Sequence, residues 1–193
     1  PETEKFVRQI YGATEYINNK ARYCLWLVGA SPAELRKSTF IMDRVEKVKQ
    51  FRLSSTKAAT QKSAETPTLF QEIRHPNSEY IIIPRHSSET RRYIPFGFVS
   101  PKIVVNDAVQ IIPGAGLYHF GIMMSNVHMA WTRAVCGRIK SDYRYSKDVV
   151  YNNFPWPTPT AEQKAKIEQT AQAILDARVL YPDSSLADLY DET

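Results

Sequence analysis

The chain has 193 residues, 43% of them hydrophobic and 23% charged, with a formal net charge of +5. That composition excludes global disorder and fits one globular domain, or one domain with an appendage. The longest apolar runs, such as Ile81–Ile83, fall far short of the roughly 20 residues that cross a bilayer, which excludes a membrane-spanning helix. The charge is uneven. Residues 1–150 hold 22 Lys and Arg against 13 Asp and Glu, whereas residues 151–193 hold 3 against 7. A basic body suits a polyanionic partner, whose phosphates exchange counterions for Lys and Arg, and it equally suits a soluble surface that is merely basic. The chain opens Pro1-Glu2-Thr3, without an initiator Met or a signal pattern, so we expect a piece of something longer. Cys24 and Cys136 both lie in apolar runs and read as core thiols of a reducing compartment, which points to the cytoplasm.

In chain order, Tyr23–Val28 reads as a buried strand ended by Gly29. Ser31-Pro32-Ala33-Glu34 then starts a helix: Ser31 caps, Pro32 suits the first turn, and Glu34 reaches back. Ile41, Val45 and Val48 recur at helical spacing among Arg44, Lys47 and Lys49, giving a basic-faced helix into the fifties. Residues 54–68 are either its end or a mobile loop. The middle reads as sheet, with short β-branched runs at 79–84, 93–96, 102–105 and 109–112. Gly114-Ala115-Gly116 reads as a tight turn between strands. Phe120, Met123, Met124, Val127, Trp131, Ala134 and Val135 then follow a 3.6-residue period and predict one amphipathic helix. Three prolines make 152–159 an extended linker. Thr160-Ala-Glu-Gln163 caps a last helix with the stripe Ile167, Ala171, Ile174 and Leu175, and a short acidic segment closes the chain.

Two polar segments carry chemistry. Arg85-His86-Ser87-Ser88-Glu89-Thr90-Arg91-Arg92-Tyr93 places arginine forks and hydroxyls directly after an apolar strand. Such groups hold phosphates, and Arg or Glu can read base edges; the other reading is a solvated hairpin loop. Arg138-Ile-Lys140-Ser141-Asp142-Tyr143-Arg144-Tyr145-Ser146-Lys147 interleaves basic and aromatic residues, which suits nucleic acid, or else forms a polar helix terminus. His75, His86, His119 and His128 lack metal-ligand spacing, and no nucleophile–base arrangement stands out.

Five ordered strings carry a resemblance over about residues 5–190: Arg22–Leu27, Ser87–Pro95, His128–Arg133, Gly137–Ser146 and Tyr151–Pro157. Together they resemble the C-terminal part of the MmeI-like (type IIG/IIL) DNA methyltransferases, restriction–modification enzymes that methylate adenine N6 with S-adenosylmethionine. The resemblance implies a non-catalytic module that reads double-stranded DNA sequence, followed by a helical segment. It implies a methyltransferase core elsewhere in the same parent chain, which would hold the cofactor, and allows an endonuclease there too. It also implies base readout by Glu89, Asp142 and Arg144, with the stretch Asn106–Gln110 as a further candidate by spacing alone. For backbone contacts we expect Arg85, Ser87, Ser88, Arg91, Arg92, Lys140, Tyr143 and Lys147. This fragment itself is expected to hold no cofactor or metal. Asn153-Phe154-Pro155-Trp156 departs from a methyltransferase Asn-Pro-Pro-aromatic motif at its second position, so its aromatics are expected to pin the linker.

The resulting expectation is an α+β fold. A mostly antiparallel central sheet flanked by helices forms a recognition domain over 1–150, and residues 151–193 form a Pro-rich linker and helical segment. The alternative function is a protein-interaction or scaffold domain whose basic face is incidental.

Overall fold

The computed structural model describes residues 3–191. Its elements run β1 (Val7–Tyr11), α1 (Ala13–Ile17), β2 (Tyr23–Leu25), α2 (Pro32–Arg36), α3 (Thr39–Leu53), α4 (Ala58–Lys62), β3 (Tyr80–Pro84) and β4 (His86–Ser87). There follow β5 (Gly97–Val99), β6 (Val104–Val105), β7 (Val109–Pro113), α5 (Leu117–Met123), α6 (Asn126–Val135), β8 (Gly137–Ile139) and β9 (Asp142–Arg144). One π-helical turn, Lys147–Tyr151, leads through the proline stretch to α7 (Ala161–Val179) and α8 (Leu186–Tyr190). The fold is α+β. No helix among the described residues is long and apolar enough to cross a membrane.

Packing divides the chain into two compact units. The first comprises the residues up to Gln9 together with Tyr23–His75, and the second comprises Ile10–Arg22 and the residues from Pro76 onward. In the first unit, Val7–Gln9 pair antiparallel with β2, and Phe6, Leu27, Leu35 and Ile41 form a small core. Ser31 caps α2 as expected: its hydroxyl accepts from the Glu34 N–H, and the Glu34 carboxylate accepts from the Ser31 N–H at 3.0 Å. The strand expected over 23–28 is shorter, ending at Leu25, and Tyr23 is 64% exposed. Trp26 leaves the strand to pack on Phe70 and His75. Residues 54–68 form the separate short helix α4 and a 3-10 turn. Arg52 holds this stretch to α3 by donating to the carbonyls of Ser63, Thr66 and Leu69 at 2.8, 3.0 and 2.7 Å.

The second unit contains two three-stranded antiparallel sheets, β5–β3–β7 and β4–β9–β8, and a parallel pairing of Ile10–Tyr11 with β6. Antiparallel pairing thus dominates but is divided among small sheets. β3 is central because Ile81, Ile82 and Ile83 are buried on both faces. The run 93–96 is buried toward its end but is not a strand. Pro95 offers no N–H to a ladder, and β5 begins only at Gly97. The single helix expected from Phe120 to Val135 is two helices. Ser125 breaks the run, donating to Ile122 O at 2.6 Å and accepting from His128 N–H to cap α6. Val127, expected on the apolar stripe, is 69% exposed as a result. Gly114 and Gly116 join β7 to α5, a strand-to-helix turn rather than one between strands. Thr160 and Gln163 form the expected capping box of α7, whose Ala171 is fully buried. A Cβ on Gly121 would meet Ile167 Cγ2 at 2.8 Å and Ala171 Cβ at 3.1 Å, so the bare glycine lets α5 and α7 approach this closely.

Candidate nucleic-acid interface

The two polar segments singled out in the sequence meet in one sheet. β9 lies between β4 and β8, with His86 opposite Arg144 and Ser87 opposite Tyr143 on one side. On its other side Gly137, Arg138 and Ile139 face Arg144, Tyr143 and Asp142. The stretch 137–147 is therefore built around a hairpin rather than a helix terminus. Its tip turns at Lys140, which adopts a left-handed φ of 54°.

Strand alternation sorts the side chains. Asp142 and Arg144 are exposed on one face, in a row with His86. Tyr143, Ser87 and Arg138 fall on the other, where Tyr143 is 4% and Ser87 3% exposed. The Arg138 guanidinium lies 3.9 Å from the centre of the Tyr143 ring and donates to Ser141 O at 2.9 Å, so it shields the tyrosine. Both Ser87 and Tyr143 were expected against the DNA backbone. In this structure the strand register turns both inward, Ser87 and Tyr143 being buried behind the outward row.

The remaining expected residues divide by what holds them. Glu89 N–H donates to Asp142 Oδ1 at 3.2 Å, tying the 88–92 loop to β9 and leaving the Glu89 side chain exposed. Ser88 and Thr90 hydroxyls lie 2.9 Å apart and stiffen the same loop. Arg92 is exposed, its guanidinium 5.6 Å from the Tyr93 ring. Lys140 projects from the hairpin tip, and Lys147 pairs with Asp148 at 2.7 Å. Arg91 is not free: it pairs with Asp191 and its side chain is only 12% exposed. Arg85 is half-buried, and its Nε has no hydrogen-bond partner among the described residues. Arg85 also aligns the backbone, its N–H donating to Ala108 O at 3.1 Å and its carbonyl accepting from Tyr145 N–H at 2.8 Å. That brings the Asn106–Ala108 turn, in which Asn106 Oδ1 accepts from Ala108 N–H at 2.9 Å, beside the sheet. His86, not among the residues expected at the site from the sequence, joins this exposed face because its pairing with Arg144 sets its phase opposite to that of Ser87.

Beneath the sheet, the Tyr145 hydroxyl lies 3.0 Å from His128 Nε2, and Phe96 and Phe154 enclose the imidazole. Burial lowers the His128 pKa to about 4 and raises that of the Tyr145 hydroxyl. Phe154 also packs edge-on against Trp156, so the aromatics after Tyr151 hold the linker to the core. The Gly114–Gly116 turn is closed by its own helix: Gly116 N–H donates to His119 Nδ1 at 3.3 Å. Among the described residues, no group of three His, Cys, Asp or Glu could hold a metal ion. The arrangement presents exposed Asp, Glu, Arg and His side chains on a rigid strand and a tethered loop, chemistry suited to reading hydrogen-bond patterns.

Comparison with known proteins gives consistent results. The family model "MmeI, target recognition domain" matches residues 1–158, and "MmeI, C-terminal domain" matches 159–193. "DNA methyltransferase A" of Bacillus subtilis (strain 168) is 37% identical over 191 residues, covering 99% of this chain and 22% of that protein. The solved structure of the Type IIL restriction–modification enzyme MmeI in complex with DNA superposes with a TM-score of 0.96 at 46% identity. It covers 99% of this chain and 26% of the MmeI chain. This chain thus spans about a quarter or less of the length of either relative.

Proposed function

The chain belongs to the MmeI target recognition domain family and carries that family's C-terminal domain, and from this premise we propose that it reads double-stranded DNA sequence for a restriction–modification methyltransferase. The observation that carries the reading is the outward row of β9 and β4. Arg144 and His86 there have no side-chain partner among the described residues, and Asp142 accepts only one backbone N–H. A strand that holds such groups rigidly suits base-edge recognition: Arg presents a fork to guanine O6 and N7, and a carboxylate accepts from cytosine N4. We assign base contact to Asp142, Arg144 and Glu89. Arg92, Lys140 and Lys147, the exposed cations around them, take phosphates, and Arg85 and Ser88 border the same contact.

The catalytic part of the reading lies outside these residues. S-adenosylmethionine needs an open glycine-rich turn between strand and helix, whereas the Gly116 N–H is already engaged by His119. The residues present do not fit the cofactor. Adenine-N6 methylation, and any endonuclease activity, are assigned to the rest of the full-length protein.

The test is Arg144→Ala in the full-length protein, read by methylation mapping and by binding to matched and singly substituted duplexes. Preference should relax at one base pair, by ~1–3 kcal/mol. Unchanged discrimination at every position would remove Arg144 from readout.

A further inference from the structure

We propose that Asp191, at the end of α8, is a positioning residue for the DNA-reading loop 88–92, acting through Arg91; the inference rests on the recognition reading above. Arg91 was expected to meet phosphate. Instead its Nε and Nη2 both donate to the Asp191 carboxylate, the latter at 3.3 Å, and its Nη1 lies 3.4 Å from Ser87 Oγ. The guanidinium is nearly buried, at 12% exposed. A bidentate fork of this kind fixes direction as well as distance.

The brace acts on the loop from one side. Ser87, its inner end, is buried beside Tyr143, directly behind the outward row. The loop's second tie is Glu89 N–H to Asp142 Oδ1, a contact to a base-reading residue. With Asp191 holding Arg91, Glu89 sits on a loop fixed at both flanks, and the Asp142 carboxylate is held in one orientation.

The helix end that carries Asp191 is itself anchored, and the Asp191 N–H donates to Ala187 O at 2.8 Å. Ser185 and Asp188 form a capping box at the start of α8. Arg178 of α7 donates to the Tyr190 hydroxyl at 3.1 and 2.6 Å, and to Phe96 O at 2.8 Å. Phe96 lies five residues beyond Arg91 in the segment that leads away from the loop. The run from Arg178 through Tyr190 and Asp191 to Arg91 therefore couples the C-terminal segment, residues 159–191, to DNA reading. Through it the segment sets the geometry of a loop about 100 residues earlier in the chain.

The experiment uses the full-length protein and a randomised duplex pool. The wild type selects an enriched duplex, and affinities are then compared on that duplex and a scrambled one. Asp191→Ala should lower the enriched-to-scrambled ratio by at least about tenfold, the scale of a lost charge-assisted hydrogen bond. Arg91→Lys, which keeps the charge but loses the fork, should lower the ratio similarly and leave the salt dependence of binding unchanged. The charge swap Arg91→Asp with Asp191→Arg should restore much of the loss. These readouts are made well below each variant's unfolding midpoint. A ratio unchanged in Asp191→Ala or in Arg91→Lys overturns the proposal. So does an Arg91→Lys variant whose salt dependence flattens, since that marks a phosphate contact. If the wild type enriches no sequence at all, the recognition reading itself fails; if it does enrich one and the variants match it, only the brace fails.

Discussion

Tyr143 is buried between two exposed charged residues because a strand turns successive side chains to opposite faces. Its ring is stacked under Arg138 and packed into the core that also holds Tyr145 and Val150. Truncation to Ala should therefore destabilise the chain by about 3–5 kcal/mol, whereas Tyr143→Phe keeps the ring and should keep DNA affinity. Equal DNA affinity for wild type and Tyr143→Phe, measured by titration, checks the support role; a clear loss would return the hydroxyl to the DNA contact. His128, in the same core, supplies a pH dependence. The folded imidazole has its pKa lowered by burial from 6.5 to about 4, so between those values the unfolded chain binds a proton that the folded chain refuses. Stability is complete above the unfolded value and falls as pH drops toward about 4, by about 3 kcal/mol in total. Denaturant titrations at about pH 7.5 and pH 4.5 should show most of that loss in the wild type, and His128→Gln should flatten it. An equal slope in the variant would assign the acid sensitivity to other groups.

Ser125 and Gly121 decide the helical layer. Ser125→Ala removes the α6 cap at a cost of about 1 kcal/mol. Gly121→Ala forces a methyl against Ile167 and Ala171 and should cost about 1–3 kcal/mol. Thermal melts should show the second as a fall in midpoint of several degrees; an unchanged midpoint would mean that α7 shifts aside freely. Ser125 also marks where the sequence stopped being legible. The caps at Ser31 and Thr160 and the isoleucine run of β3 are local signals, and each element formed as its residues indicate. Ser125 lay inside an apolar run of helical period, and the side-chain pattern alone does not register a cap that restarts the helix with His128, Met129 and Thr132 inward in place of Val127. The hairpin over 137–144 was hidden differently. Its tip residue Lys140 takes a φ of 54° where Gly or Asn would announce a turn. Asp142 and Arg144 were legible as chemistry, but their shared face, and the opposite face of Tyr143, depend on a register set by that unannounced turn. The Arg91–Asp191 pair was not legible, because its two members are 100 residues apart.

At the scale of the molecule, the excess positive charge of residues 1–150 has to be divided between groups already engaged and groups available to a polyanion. Arg52 is tied to three carbonyls, Arg91 to Asp191, and Arg138 to Tyr143 and Ser141. Acids of the C-terminal segment are engaged too: Asp188 caps α8, Asp176 accepts from Gln172, and Asp191 holds Arg91. Of these only Asp191 is neutralised by a cation; Asp176 and Asp188 accept from neutral donors and keep their charge. Arg92 is the clean probe of the available group, since it is exposed and its contact is a ring rather than a carboxylate. Each phosphate neutralised contributes a slope of about −0.9 to the dependence of log affinity on log salt. Arg92→Ala in the full-length protein should thus bind every duplex more weakly at low salt. Its deficit should shrink about 3.5-fold between roughly 50 and 200 mM salt, because the variant has one counterion fewer to recapture. Arg144→Ala should behave oppositely, with a deficit confined to the matched duplex. Two variants that lose affinity in the same way on matched and scrambled DNA would dissolve the division between reading and holding, and return the outward row of β9 to simple attraction.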